Sequence, residues 1–143
     1  MDVQTARLRL LEISYEISRS ILHRLKPVFR QNRVTSTVFI GIETVTKKPL
    51  FNCKMCGQCI LHSTGMVCPM NCPKNLRNGP CGGVRQNGNC EIQPTMKCVW
   101  VRAWDQSKKM RNHQKDIYTI QKPLDRRLTG TSAWLNDIHS STR

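Results

Sequence analysis

Acid is what this sequence has least of: nine Asp and Glu stand against 23 Lys and Arg in 143 residues, a formal charge of +14. So few carboxylates leave little material for general acid–base chemistry. No Ser/His/Asp grouping, carboxylate pair or phosphate-cradling loop is present. Gly82-Gly83 is not a dinucleotide fingerprint, because no strand-to-helix context surrounds it. Long apolar runs are missing as well. The longest, residues 38–42, is far too short to cross a bilayer, and residues 1–25 lack the unbroken apolar stretch of an export signal. The basic excess is spread evenly, without the polybasic tract that marks a nucleic-acid arm. Membrane and nucleic acid are therefore not the expected partners, and the expected location is the cytoplasm.

What the sequence does have is cysteine. Cys53, Cys56, Cys59, Cys68, Cys72, Cys81, Cys90 and Cys98 all lie within residues 51–100, spaced C-x2-C-x2-C-x8-C-x3-C-x8-C-x8-C-x7-C. In a chain with no export signal, reduced thiols and metal ligation are expected rather than disulfides. The segment is poor in apolar side chains and rich in Gly and Pro, so burial cannot hold it together and something bonded to sulfur must.

The run Cys53-x2-Cys56-x2-Cys59 can place three sulfurs on one centre, as in the ferredoxin run that ends in Cys-Pro. It departs from that run because the fourth cysteine comes eight residues later, at Cys68-Pro69, with a second Cys-Pro at Cys72-Pro73. Zinc sites usually pair two short knuckles, and Cys68/Cys72 is a plausible second one, but Cys81, Cys90 and Cys98 are wide singletons. Two [4Fe–4S] clusters are the expectation; one cluster beside one zinc, or zinc alone, are the alternatives. Which four cysteines share a site cannot be read from spacing. His62, three residues after Cys59, is expected to hydrogen-bond rather than ligate.

Around this core the expected fold is a small, irregular, metal-stabilised α+β domain. A long amphipathic helix is predicted from residue 4 to about residue 33, with one stripe from Leu10, Ile13, Ile17, Ile21, Leu25 and Val28. Leu8, Leu11, Tyr15, Leu22 and Phe29 broaden it, and Pro27 should kink or end it near Lys26. The stripe suits packing on the chain's own body or docking on a partner. The β-branched run at residues 34–46 predicts a strand or extended arm. The divisions are residues 1–46, a helix and arm; 47–104, the loop-dominated cluster-binding core; and 105–143, a polar linker and extended docking tail. Trp100 and Trp104 are expected to shield a cluster from water.

Residues 49–104, and within them residues 68–74 (CPMNCPK) and 77–83 (RNGPCGG), resemble the methylenetetrahydrofolate reductase C-terminal domain family. Pro123-Leu124-Asp125 and residues 130–135 (GTSAWL) are similar to that family's tail, so the likeness covers roughly residues 43–135. The resemblance implies a cysteine-rich iron–sulfur or zinc accessory subunit beside a flavin-binding barrel that reduces methylenetetrahydrofolate, in one-carbon metabolism. It implies all eight cysteines as cluster or metal ligands, and a flavin held by the partner. This chain has no barrel, so catalysis by it alone is not expected. The implied role is electron relay between a donor protein and the partner's flavin; the alternative is a zinc-stapled regulatory subunit of the same reductase.

Overall fold

The computed structural model describes residues 3–27 and 32–140. Four α-helices appear in chain order: α1 Val3–Arg24, α2 Arg33–Phe51, α3 Val99–Ser107 and α4 Ala133–Ser140. Short 3-10 turns at Leu61–Thr64, Pro69–Asn71, Asp116–Tyr118 and Arg126–Leu128 punctuate the loops. The described residues contain no strand, only an isolated antiparallel bridge between Asn89 and Lys97. The predicted α+β class is therefore overturned; the fold is helical.

The correction falls on residues 34–46. Their composition favours a strand, yet they form most of α2. The helical row was present beneath the composition: Phe39, Glu43 and Lys47 recur every fourth residue and are the buried positions of α2. Its threonines do not pull the backbone away. Thr37 Oγ1 donates to Arg33 O at 2.9 Å, and Thr46 Oγ1 to Ile42 O at 2.7 Å. Pro49 sits in the last turn, where its missing N–H frees only the carbonyl of the exposed Val45. Asn52 ends the helix at φ 50°, its N–H donating to Lys48 O at 2.8 Å.

The single long helix predicted to residue 33 is two helices. α1 ends at Arg24, three residues before Pro27, with His23 and Arg24 complementing its carboxyl end. Val28 and Phe29 lie outside the described residues. The predicted stripe is not the buried one: Leu10, Ile13, Ile17, Ile21 and Leu25 are exposed, while Leu8 is buried and Leu11, Tyr15 and Leu22 are half-buried.

The described residues form two compact units, one from residues 1–12 and 60–123, the other from 13–59 and 124–143. In the first, Val67, Cys72, Cys98, Val99, Trp100 and Ala103 make the core, flanked by Leu76, Val84, Met96, Val101 and Ile117. The backbone passes so close to α3 at Gly65 that an added Cβ would strike Ser107 N at 2.6 Å and Ala103 O at 2.8 Å. Glu12, 2% exposed, accepts the backbone N–H groups of Arg111 (2.9 Å), Asn112 (2.7 Å) and His113 (3.0 Å). It thereby fixes a stretch whose polar composition suggests only a solvated linker.

Burial pushes the Glu12 carboxyl up, but those three N–H groups and the nearby His113 outweigh it and hold the group below its ordinary 4.5. A depressed carboxylate contributes stability in full above its unfolded value and loses it as pH falls through the lowered folded value. Glu12→Gln should therefore cost about 1–3 kcal/mol at neutral pH. The gap to the parent should narrow as urea titrations are repeated down toward about pH 4.

In the second unit, Leu135 and Ile138 of α4 are buried, and Phe39 meets Trp134 edge to face at 6.4 Å. The tail from residue 124 therefore packs within its own chain.

Candidate metal centre

Four of the predicted ligands meet in the first unit. Cys72, Cys81, Cys90 and Cys98 line one cavity, together with Lys74, Glu91, Val99 and Trp100. Each arrives on a separate loop, for a local reason. Cys72 closes the 3-10 turn Pro69–Asn71, its N–H donating to Pro69 O at 3.0 Å. Cys81 lies on an exposed loop between Gly79 at φ 113° and Gly82 at φ 81°, values that only glycine takes easily. Cys90 is placed by a hairpin-like loop: its N–H donates to Met96 O at 2.9 Å, and Cys98 N–H to Gly88 O at 3.0 Å. Asn89 stiffens that loop, with Nδ2 donating to Pro94 O at 2.7 Å.

Cys98 is the N-cap of α3, and its carbonyl accepts the Arg102 N–H. A thiolate at a helix N-terminus faces the positive end of the dipole. Lys74 and Glu91 pair at the cavity, and a Cβ at Gly83 would collide with the Glu91 carboxylate. Trp100 seals the inner wall, its Nε1 donating to Leu76 O at 3.2 Å. Trp104, also expected as a shield, does not line this cavity. Cys68, buried at the head of the Pro69–Asn71 turn, does not line it either. The His62 ring meets His113 edge to face at 5.5 Å.

The other three cysteines belong to the second unit, on the loop that leaves α2. Met55 takes φ 48°, uncommon for a side chain of its kind, and its N–H donates to Cys53 Sγ at 3.4 Å. Cys56 Sγ donates to Gln58 O at 3.6 Å. Cys59 lines a small cavity with Arg19, His23 and Asp137 between α1 and α4.

The tail straps this loop down. Gly130 N–H donates to Met55 O at 2.8 Å, Asp125 N–H to Gln58 Oε1 at 2.7 Å, and Asn136 Nδ2 to Gly57 O at 2.8 Å. Gly57 admits that approach; a Cβ there would overlap Leu128 O. The turn that closes the strap is capped by Asp125. The side-chain hydrogen bond from Arg127, then the Arg127 backbone N–H, hold its carboxyl down to about 2. It stays ionised until pH falls to that value, so the cap persists through mild acid.

Four thiols around one cavity suit a group bound by four thiolates, and the Cys53–Cys56–Cys59 loop offers three more sulfurs. The grouping of Cys72, Cys81, Cys90 and Cys98 is what spacing could not supply, because the intervening stretches are seven to eight residues of irregular chain. Sequence reasoning also missed the strap. Its only advance signal was the resemblance of Pro123-Leu124-Asp125 and residues 130–135 to the tail of the family that the cysteine segment resembles.

These features define a small helical protein that carries its cysteines on loops pinned by 3-10 turns, a helix N-terminus and a tail. The chain belongs to the methylenetetrahydrofolate reductase C-terminal family: the family model described as methylene-tetrahydrofolate reductase C terminal matches residues 32–127. The match takes in α2, α3 and all eight cysteines, starting earlier than the expected residue 43 and ending before α4. Comparisons with curated proteins and with solved structures return no match.

Proposed function

We propose that this chain is the iron–sulfur electron-transfer subunit of a flavin-dependent methylenetetrahydrofolate reductase. The convergence of Cys72, Cys81, Cys90 and Cys98 on one cavity carries the reading.

A cluster bound there supplies a one-electron carrier. The chain's residues set its surroundings. Val99 and Trp100 exclude water on the inner side, and the α3 N-terminus stabilises negative charge at Cys98. The Cys53–Cys56–Cys59 loop, held by the tail, is the second source of thiolate ligands.

The proposed relay passes its electrons to a flavoprotein partner, and the helices supply faces for one. Ile13, Ile17 and Ile21 of α1, Leu25 just beyond it, and Val34, Val38, Ile42 and Val45 of α2 are all exposed. Rows of large apolar side chains at helical spacing mark interaction sites. Ile17→Glu is expected to leave the fold and metal content unchanged while weakening association with the flavoprotein at least about tenfold, one buried aliphatic side chain being worth roughly that much. Titration calorimetry against the purified partner checks this.

The deciding experiment is anaerobic co-purification with the flavoprotein, followed by iron, acid-labile sulfide, zinc and flavin quantification. Iron and sulfide with broad visible absorbance are the expected outcome. Zinc without sulfide would replace the relay by the stapling role, and metal-free thiols would end both.

A further inference from the structure

The first unit holds a second cavity, of about 360 Å³, within the range of small-molecule sites. It opens between the Arg77–Pro80 stretch, one face of α3 and the residues following Asp116. Its walls are dominated by Trp100, Trp104, Tyr118, Ile117 and Val84. The walls are fixed in advance. Asn78 Nδ2 donates to Gln121 O at 2.9 Å, Gln121 N–H returns to Asn78 Oδ1 at 2.7 Å, and Arg77 Nε donates to Lys122 O at 3.0 Å.

Large side chains at this cavity face solvent: Tyr118 is 70% exposed and Ile120 86%. Trp104 and Tyr118 meet edge to face, their ring centres 5.5 Å apart. The lining carries one cation and one acid. Arg77 lines the cavity, and Lys108 Nζ lies 4.7 Å from the centre of the Trp104 ring. The one acid in the lining, Asp116, is engaged by His113 Nδ1 at 2.6 Å. Pro80, Val84 and Trp100 line this cavity and the cysteine cavity alike, so the Trp100 indole is a wall common to both.

We propose that this cavity binds a planar aromatic compound bearing an anionic group, its ring against Trp104 and Tyr118 and its charge toward Arg77 and Lys108. Stacking selects a flat ring over a saturated one, and the guanidinium and ammonium select an anion over a neutral isostere. The proposal stands on this cavity alone and does not require a metal in the neighbouring one.

The test is calorimetric titration of the full chain with 2-naphthoate, 2-naphthalenemethanol and cyclohexanecarboxylate. 2-Naphthoate should bind about tenfold or more tightly than either analogue. Trp104→Leu should weaken it by about tenfold, and Lys108→Gln should abolish the preference over the neutral alcohol, with the far-UV circular dichroism of both variants unchanged. Lys109→Gln, one position along, should bind like the parent. Equal binding of the three probes, indifference to Trp104→Leu, or no binding of 2-naphthoate at millimolar concentration would each overturn the proposal. The last result would leave the cavity to an aromatic side chain of a partner protein.

Discussion

Cys98→Ser is expected to abolish the proposed metal centre of the first unit and unfold that unit. The substitution removes one of four thiols at a single cavity, and it does so at the N-cap of α3 and inside the core formed with Val67, Cys72, Val99, Trp100 and Ala103. Binding at structural thiolate sites is worth about 10–16 kcal/mol in small metallo-domains. That matches or exceeds the whole stability of an ordinary domain, about 5–15 kcal/mol. The loops bearing Cys81 and Cys90 have little apolar surface to fall back on. Iron or zinc content should drop by one centre, and limited proteolysis should open the chain between residues 72 and 98. Cys81→Ser, at the exposed position, should lose the same centre and destabilise the unit in the same way, without touching the α3 N-cap. A Cys98→Ser protein with full metal content and native protease resistance would remove these four residues from the ligand assignment.

The second large effect belongs to α2. Glu43, 1% exposed, is held by Lys47 Nζ at 2.6 Å, the Ser132 hydroxyl and the Trp134 N–H at 3.0 Å. Lys47 is itself buried, with its ammonium 4.4 Å from the centre of the Trp134 ring. One carboxylate thus neutralises a buried cation and caps α4. Glu43→Ala leaves that cation without its counter-charge and the α4 N-terminus without its acceptor, a loss of about 3–5 kcal/mol. The double substitution Glu43→Leu/Lys47→Met should recover much of this, because well-packed apolar residues often replace a buried ion pair at little cost. Urea unfolding of the three proteins gives the comparison. A single-variant loss below about 1 kcal/mol, the level of a surface pair, would show that the pair is open to water.

Residues 34–46 and the α1 stripe explain where sequence reasoning fell short. β-branched content is a preference for a pleated, half-buried surface, and it yields when burial at every fourth position requires a helix. Phe39, Glu43 and Lys47 carry that period, but two of the three are charged, so an apolar count passes over them. In α1 the stripe rich in Ile is exposed, whereas the buried positions include the charged Glu12. Hydrophobic periodicity locates a face; it does not say whether the chain itself covers it. The strap was hidden for a related reason. Gly130, Asp125 and Asn136 act through backbone and amide hydrogen bonds to residues more than sixty positions away, and no local pattern encodes such pairings.

By itself the sequence determined the scarcity of acid, the concentration of eight thiols in one stretch too polar to close by burial, and the membership of the family. Those are matters of composition and order along the chain. Only the tertiary structure decided that Cys72, Cys81, Cys90 and Cys98 face one cavity, that residues 34–46 are helical, and that two buried glutamates anchor distant segments. Each of these depends on which groups lose water together, and that is fixed by the three-dimensional path of the chain.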